Sequence, residues 1–104
     1  MDSFGALADP TRRRILDELL ERERPVSELV ELLRMSQPAV SKHLRVLREA
    51  GLVTARVDAQ RRCYRLAPAP LAGLDAWLAP YRELWARRLD ALEAHLDERE
   101  DGDA

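Results

Sequence analysis

Two amphipathic stretches, residues 27–33 and 37–50, stand three residues apart, and no other feature of the chain constrains its fold as much. Arg34-Met35-Ser36 leaves room for a turn and nothing more, so two helices must pack as neighbours in a helix-turn-helix. Ser27 is placed to cap the first, which carries Leu29, Val30, Leu32 and Leu33 and ends near Arg34. Ser36 caps the second, Pro38 is tolerated in its first turn, and Gly51 is the left-handed stop. Upstream, Asp9-Pro10-Thr11 opens another helix, with Asp9 as the cap and Ile15, Leu16, Leu19 and Leu20 at helical spacing. It gives way to charged residues 21–24 before Pro25, and Phe4-Leu7-Ala8 forms a short helical lead-in.

Beyond Gly51 the period changes. Leu52–Val57 and Arg62–Leu66 alternate in strand fashion around polar residues 58–61, which predicts a β-hairpin. The tip lacks Asn-Gly or Asp-Gly, so a longer, looser loop is expected there. Pro68 and Pro70 break the chain before the last element. From Leu71, apolar residues recur at Leu74, Leu78, Tyr81, Trp85 and Leu92, with Leu84, Leu89 and Leu96 beside them, a helical stripe close to a heptad. Pro80 predicts a kink or break near Ala79, and residues 99–104 read as a frayed acidic tail. The expected fold is mainly α with a small β-hairpin: one domain over residues 1–98, with the helix-turn-helix at 27–50, the hairpin at 52–66 and a long helix at 71–98.

Net charge is −2, yet the distribution is uneven. Residues 36–66 hold seven Lys/Arg against two acids, whereas residues 67–104 hold four against nine. A basic middle between acidic flanks is the footprint of a patch aimed at a polyanion. On a helical wheel of about 100° per residue, Val40, His43, Leu44 and Leu47 share one side of the second helix. Gln37, Ser41, Lys42, Arg45 and Arg48 share the other. Such a face, almost free of acids, supplies what base edges and phosphates in a major groove require. The final helix, with Trp77 and Trp85, offers more apolar surface than one small domain covers, so pairing with a second copy is expected.

The stretches ADPTRRRIL, SQPAVSKHLRVLREAGLV and RRCYRL resemble the ArsR/SmtB family of bacterial winged-helix repressors over residues 4–98. The resemblance implies a winged helix-turn-helix, dimeric through its terminal helices, that represses transcription at an inverted-repeat operator in double-stranded DNA. Carried onto this chain, Ser36, Gln37, Ser41, Lys42, Arg45 and Arg48 would meet DNA from the recognition helix, and Arg56, Arg61 and Arg62 from the wing. Gln37, Ser41 and Arg45 would carry most of the sequence readout. Phe4, Leu7, Leu74, Trp77, Leu78, Tyr81, Trp85, Leu89 and Leu92 would form the homodimer interface.

The family's thiolate metal site is missing: aligned on Ser36-Gln37-Pro38, its three cysteine positions hold Pro25, Ser27 and Val30. His95 and Glu98 match half of the second family site, whose partner position holds Leu84, so a metal would be under-coordinated. No cofactor is implied, and any effector would be an unidentified small molecule or protein. His43 is expected as a hydrogen-bonded structural histidine. Cys63, the only cysteine, excludes an intrachain disulfide and fits a reducing cytoplasm. The N-terminus lacks a signal-peptide pattern, and the longest uncharged run, residues 66–74, is too short to span a membrane. No nucleophile–base pair or glycine-rich phosphate loop points to an enzyme. The competing reading is a winged-helix module that binds a protein instead of DNA, which would have no use for the basic face.

Overall fold

The computed structural model describes residues 3–102, and the chain divides into two units, residues 1–72 and residues 73–104. In the first unit, α1 (Ser3–Leu7) leads into α2 (Pro10–Glu21). Asp9 caps α2 as its sequence position predicts, its Oδ1 accepting from the backbone N–H of Thr11 at 2.7 Å and of Arg12 at 3.2 Å. α3 (Val26–Leu33) and α4 (Gln37–Glu49) follow, joined by the predicted three-residue turn. Arg34 closes α3 in the left-handed region, with φ 55°. Ser36 Oγ accepts from the Ala39 N–H at 3.3 Å and starts α4.

At its far end α4 stops in a Schellman pattern. The Leu52 N–H reaches the Leu47 carbonyl, the Gly51 N–H reaches that of Arg48, and Gly51 takes φ 78°. The largest fully buried side chains of this unit are Ile15, Leu29, Val40, Leu44, Leu47, Leu52 and Val53. Each contributes about 1.5–3 kcal/mol relative to exposure.

The sheet has three strands, in the order β1-β3-β2 and antiparallel throughout. β2 (Val53–Asp58) and β3 (Arg61–Leu66) are the expected hairpin, and β1 (Arg24–Pro25) is an addition the hydropathy pattern does not signal. Pro25 is tolerated in β1 because the strand is an edge. Its neighbour Arg24 is buried and donates from Nε to the Glu18 carbonyl at 2.8 Å. The same guanidinium meets the carboxylates of Glu21 (2.8 Å), Glu18 (3.4 Å) and Glu28. A buried cation is stable only with this much compensation. The charged segment before Pro25 is thus a clasp between α2 and α3.

Five sequence expectations need correction. Ser27 does not cap α3: the helix begins at Val26 behind Pro25, without a side-chain cap, which puts Ser27 inside the first turn. The hairpin loop is tight, since Asp58 pairs with Arg61 and only Ala59-Gln60 remains for the turn. Ala59 accepts φ 58° to match the strand twist, at about 1–2 kcal/mol, and six paired positions outweigh that strain. Pro68 and Pro70 do not precede the last helix. They lie in the first turn of α5 (Pro68–Gly102), where backbone N–H groups lack helical acceptors anyway.

Pro80 does not break α5 either. The ring removes one internal hydrogen bond, a cost of about 3 kcal/mol, and the Leu-, Ala-, Glu- and Arg-rich flanks carry the helix through. The predicted acidic tail is helical as far as Gly102, because adding residues to a formed helix is far easier than nucleating one. Positions 103–104 lie outside the described residues. On the second unit Leu74, Leu78, Tyr81, Trp85, Leu89, Leu92 and Leu96 follow in steps of four, three, four, four, three and four. Leu74 is buried, whereas Trp77 is 54% exposed, Trp85 65% and Leu89 59%. The Trp77 and Tyr81 rings lie 4.8 Å apart.

Candidate nucleic-acid interface

α4 presents the predicted division. Val40, Leu44 and Leu47 are buried, while Ser36, Gln37, Ser41, Lys42, Arg45 and Arg48 are exposed. The buried three fix the rotation of the helix, so the polar residues are presented by default. Gln37, Ser41, Lys42, Arg45 and Arg48 line one side of an open groove of about 830 Å³ whose other wall carries Arg62 and Tyr64 of β3. Its lining holds four basic residues (Lys42, Arg45, Arg48 and Arg62) and one acid, Glu49. Among the described residues Lys42, Arg45, Arg48, Arg61 and Arg62 make no ion pair, so their charge is directed outward. A smaller hollow beside the groove is lined by Ser27, Gln37, Gln60, Arg61 and Arg62.

The wing arginines do not share one face. Directly opposed strand residues project to the same side, and alternate residues to opposite sides. The register Ala55↔Tyr64 and Val57↔Arg62 puts Arg62 and Tyr64 on the groove side. Arg56↔Cys63 and Thr54↔Arg65 occupy the other side, where Arg65 Nε donates to Thr54 Oγ1 at 3.2 Å. Arg56 itself meets Glu23, with Nε 2.5 Å from Oε1. Tyr64 and Gln60 are lining residues that the sequence reading missed; the alternation that marks β3 as a strand also places Tyr64 two residues on from Arg62, on its face.

His43 departs from expectation. It is half-buried on the inner side of α4, and its Nδ1 is sealed from solvent without a hydrogen-bond partner. The nearby Asp9 carboxyl is held below the usual carboxylate range chiefly by the backbone N–H that Arg12 donates to it. Cys63 is buried and free in β3. Among the described residues, no three His, Cys, Asp or Glu side chains are grouped to hold a metal ion, and no helix is long and apolar enough to cross a membrane.

A sequence profile described as bacterial regulatory protein, arsR family, matches residues 9–55, which includes α2, α3 and α4. The HTH-type transcriptional regulator Rv2034 of Mycobacterium tuberculosis is 42% identical over 99 residues, 95% of this chain and 90% of that protein. The transcriptional repressor SmtB of the same species is 46% identical over 67 residues, 64% of this chain and 50% of that protein. A crystal structure described as a possible transcriptional regulator for arsenical resistance is 44% identical, with a TM-score of 0.71, and covers 90% of this chain and 95% of its own.

Proposed function

The chain belongs to the ArsR family of bacterial transcriptional regulators, and from that premise we propose that it is a cytoplasmic repressor working as a homodimer on an inverted-repeat operator. The observation that carries this reading is the groove: five polar and basic residues of α4 face Arg62 and Tyr64 of the wing, with four cations against one acid. α4 enters the major groove. Gln37, Ser41 and Arg45 meet base edges, while Ser36, Lys42, Arg48, Arg61 and Arg62 hold phosphates. No catalytic step belongs to this function.

Dimerisation follows from the exposed stripe of α5. Leu78, Tyr81, Trp85, Leu89 and Leu92, with Trp77, are large apolar side chains left at the surface. A second copy offers the same stripe, and a two-fold contact would cover both. Phe4, 49% exposed, and half-buried Leu7 add apolar surface at α1. Two-fold pairing would set two recognition helices about one helical turn of DNA apart, the geometry an inverted repeat demands. Supply of its own promoter with such a repeat would make the protein autoregulating.

A mobility-shift titration tests this, with a duplex from the protein's own promoter region and a random duplex of equal length. Arg45→Ala should lose about 1–3 kcal/mol of discrimination between them. Lys42→Ala should weaken both alike and reduce the salt slope by about two, one for each protomer. Equal binding of the two duplexes by the wild type would remove the readout assignment, and no binding at low salt would remove the DNA reading.

A further inference from the structure

We propose that Glu23 sets the absolute DNA affinity of this protein by holding Arg56 away from the duplex, an inference that rests on the groove and wing being the DNA-binding face. Among the cations of residues 36–66 within the described chain, Arg56 alone is ion-paired. Its Nε lies 2.5 Å from Glu23 Oε1, an oxygen sealed from solvent that accepts no well-aligned hydrogen bond, so charge attraction is what joins the two.

The two ends of this pair differ in freedom. The Arg56 side chain is 56% exposed and the Glu23 side chain 27%. Glu23 directly precedes Arg24, whose guanidinium is fixed by Glu18, Glu21 and Glu28 and whose backbone is paired to β3. The carboxylate is therefore tied to the scaffold and the guanidinium is the part that moves. Arg56 lies on the wing face opposite Arg62, so it reaches a phosphate only by leaving Glu23. Each such departure separates opposite charges, which cancels much of what the phosphate contact gains. Phosphates carry no sequence information, so Glu23 tunes affinity for all duplexes alike and leaves the ratio between them unchanged.

The experiment uses the full chain and the same two duplexes, titrated at several salt concentrations, with thermal melts to confirm folding. Glu23→Gln should tighten both duplexes about three- to tenfold and steepen the log–log salt slope by about two, the signature of one added phosphate contact from each protomer of the pair. Adding Arg56→Ala to it should abolish the gain and return both parameters close to wild type. Glu23→Asp, which keeps the charge but shortens its reach, should fall between and serves if the Gln variant folds poorly. A folded Glu23→Gln protein that binds no tighter than wild type overturns the proposal, as does a gain that survives the loss of Arg56. Absence of duplex binding by wild type and variants alike would instead overturn the DNA-binding function on which it rests.

Discussion

The unit within residues 1–72 and the long helix beyond it treat apolar side chains in opposite ways. In the first, Ile15, Leu29, Val40, Leu44 and Leu47 are fully buried, and the apolar side chains left outside, Phe4, Leu20, Leu32 and Val57, stand scattered along the sequence among polar and charged ones. In the second, Trp85, Leu89 and Leu92 are each more than half exposed. One region gathers its apolar side chains into a core and presents cations on α4; the other leaves a continuous apolar stripe uncovered within a single chain. The regulator thus carries two chemically different surfaces: unpaired cations on α4 and an uncovered apolar stripe on α5.

That contrast is best attacked at α5. Leu89→Glu with Leu92→Glu should leave a species of half the wild-type mass in sedimentation velocity. Duplex affinity should fall about a hundredfold or more, since linking two heads multiplies their binding. A wild type that already sediments as a monomer would break the comparison outright. Next in size, Leu44→Ala should cost the first unit about 2–5 kcal/mol in urea unfolding, because the deletion leaves a void where no exposed surface can relax into it. An effect below about 1 kcal/mol would mean that this side of α4 is not core.

Smaller still, Ala59→Gly should stabilise the same unit by about 1 kcal/mol by relieving the left-handed turn residue. An unchanged urea midpoint would show that the turn relaxes without cost. The least effect concerns pH. Asp9 titrates below its ordinary range because the Arg12 N–H, and after it Thr11, favour its charged form. For Glu28, burial acts to raise the value, but hydrogen bonding and attraction from Arg24 and Arg22 outweigh it and the net shift is downward. Both groups bind protons more weakly folded than unfolded, so their contribution is present at neutral pH and fades as pH falls through the carboxylate range. Melting temperatures of Asp9→Asn and Glu28→Gln should thus lie below wild type at pH 7 and converge on it in acid; a gap that stays constant with pH would contradict the assignment.

What the sequence made legible was local. Asp9, Ser36 and Gly51 act within four residues of themselves, and each sits where capping and stop signals place it. The two faces of α4 were readable for the same reason, because a helix repeats its own geometry. What escaped was set by partners far along the chain. β1 is two residues long and has no period of its own; it exists because β3 offers Cys63 and Tyr64. The Arg56 contact spans the distance to Glu23, and which wing arginine faces the groove depends on a register fixed by the turn. Pro80 and Ala59 show local rules outweighed by the elements around them.

The rhythm of the α5 stripe limits how the helix can change in length. Its steps advance about 3.67 residues at a time, close to the natural turn, so the stripe runs nearly straight along the helix. Inserting one residue within the stripe would rotate every later apolar side chain by about 100° about the helix axis relative to the earlier ones and split the stripe in two. Eleven residues would restore the angle and add about 16.5 Å, so insertions that keep the stripe continuous come in quanta.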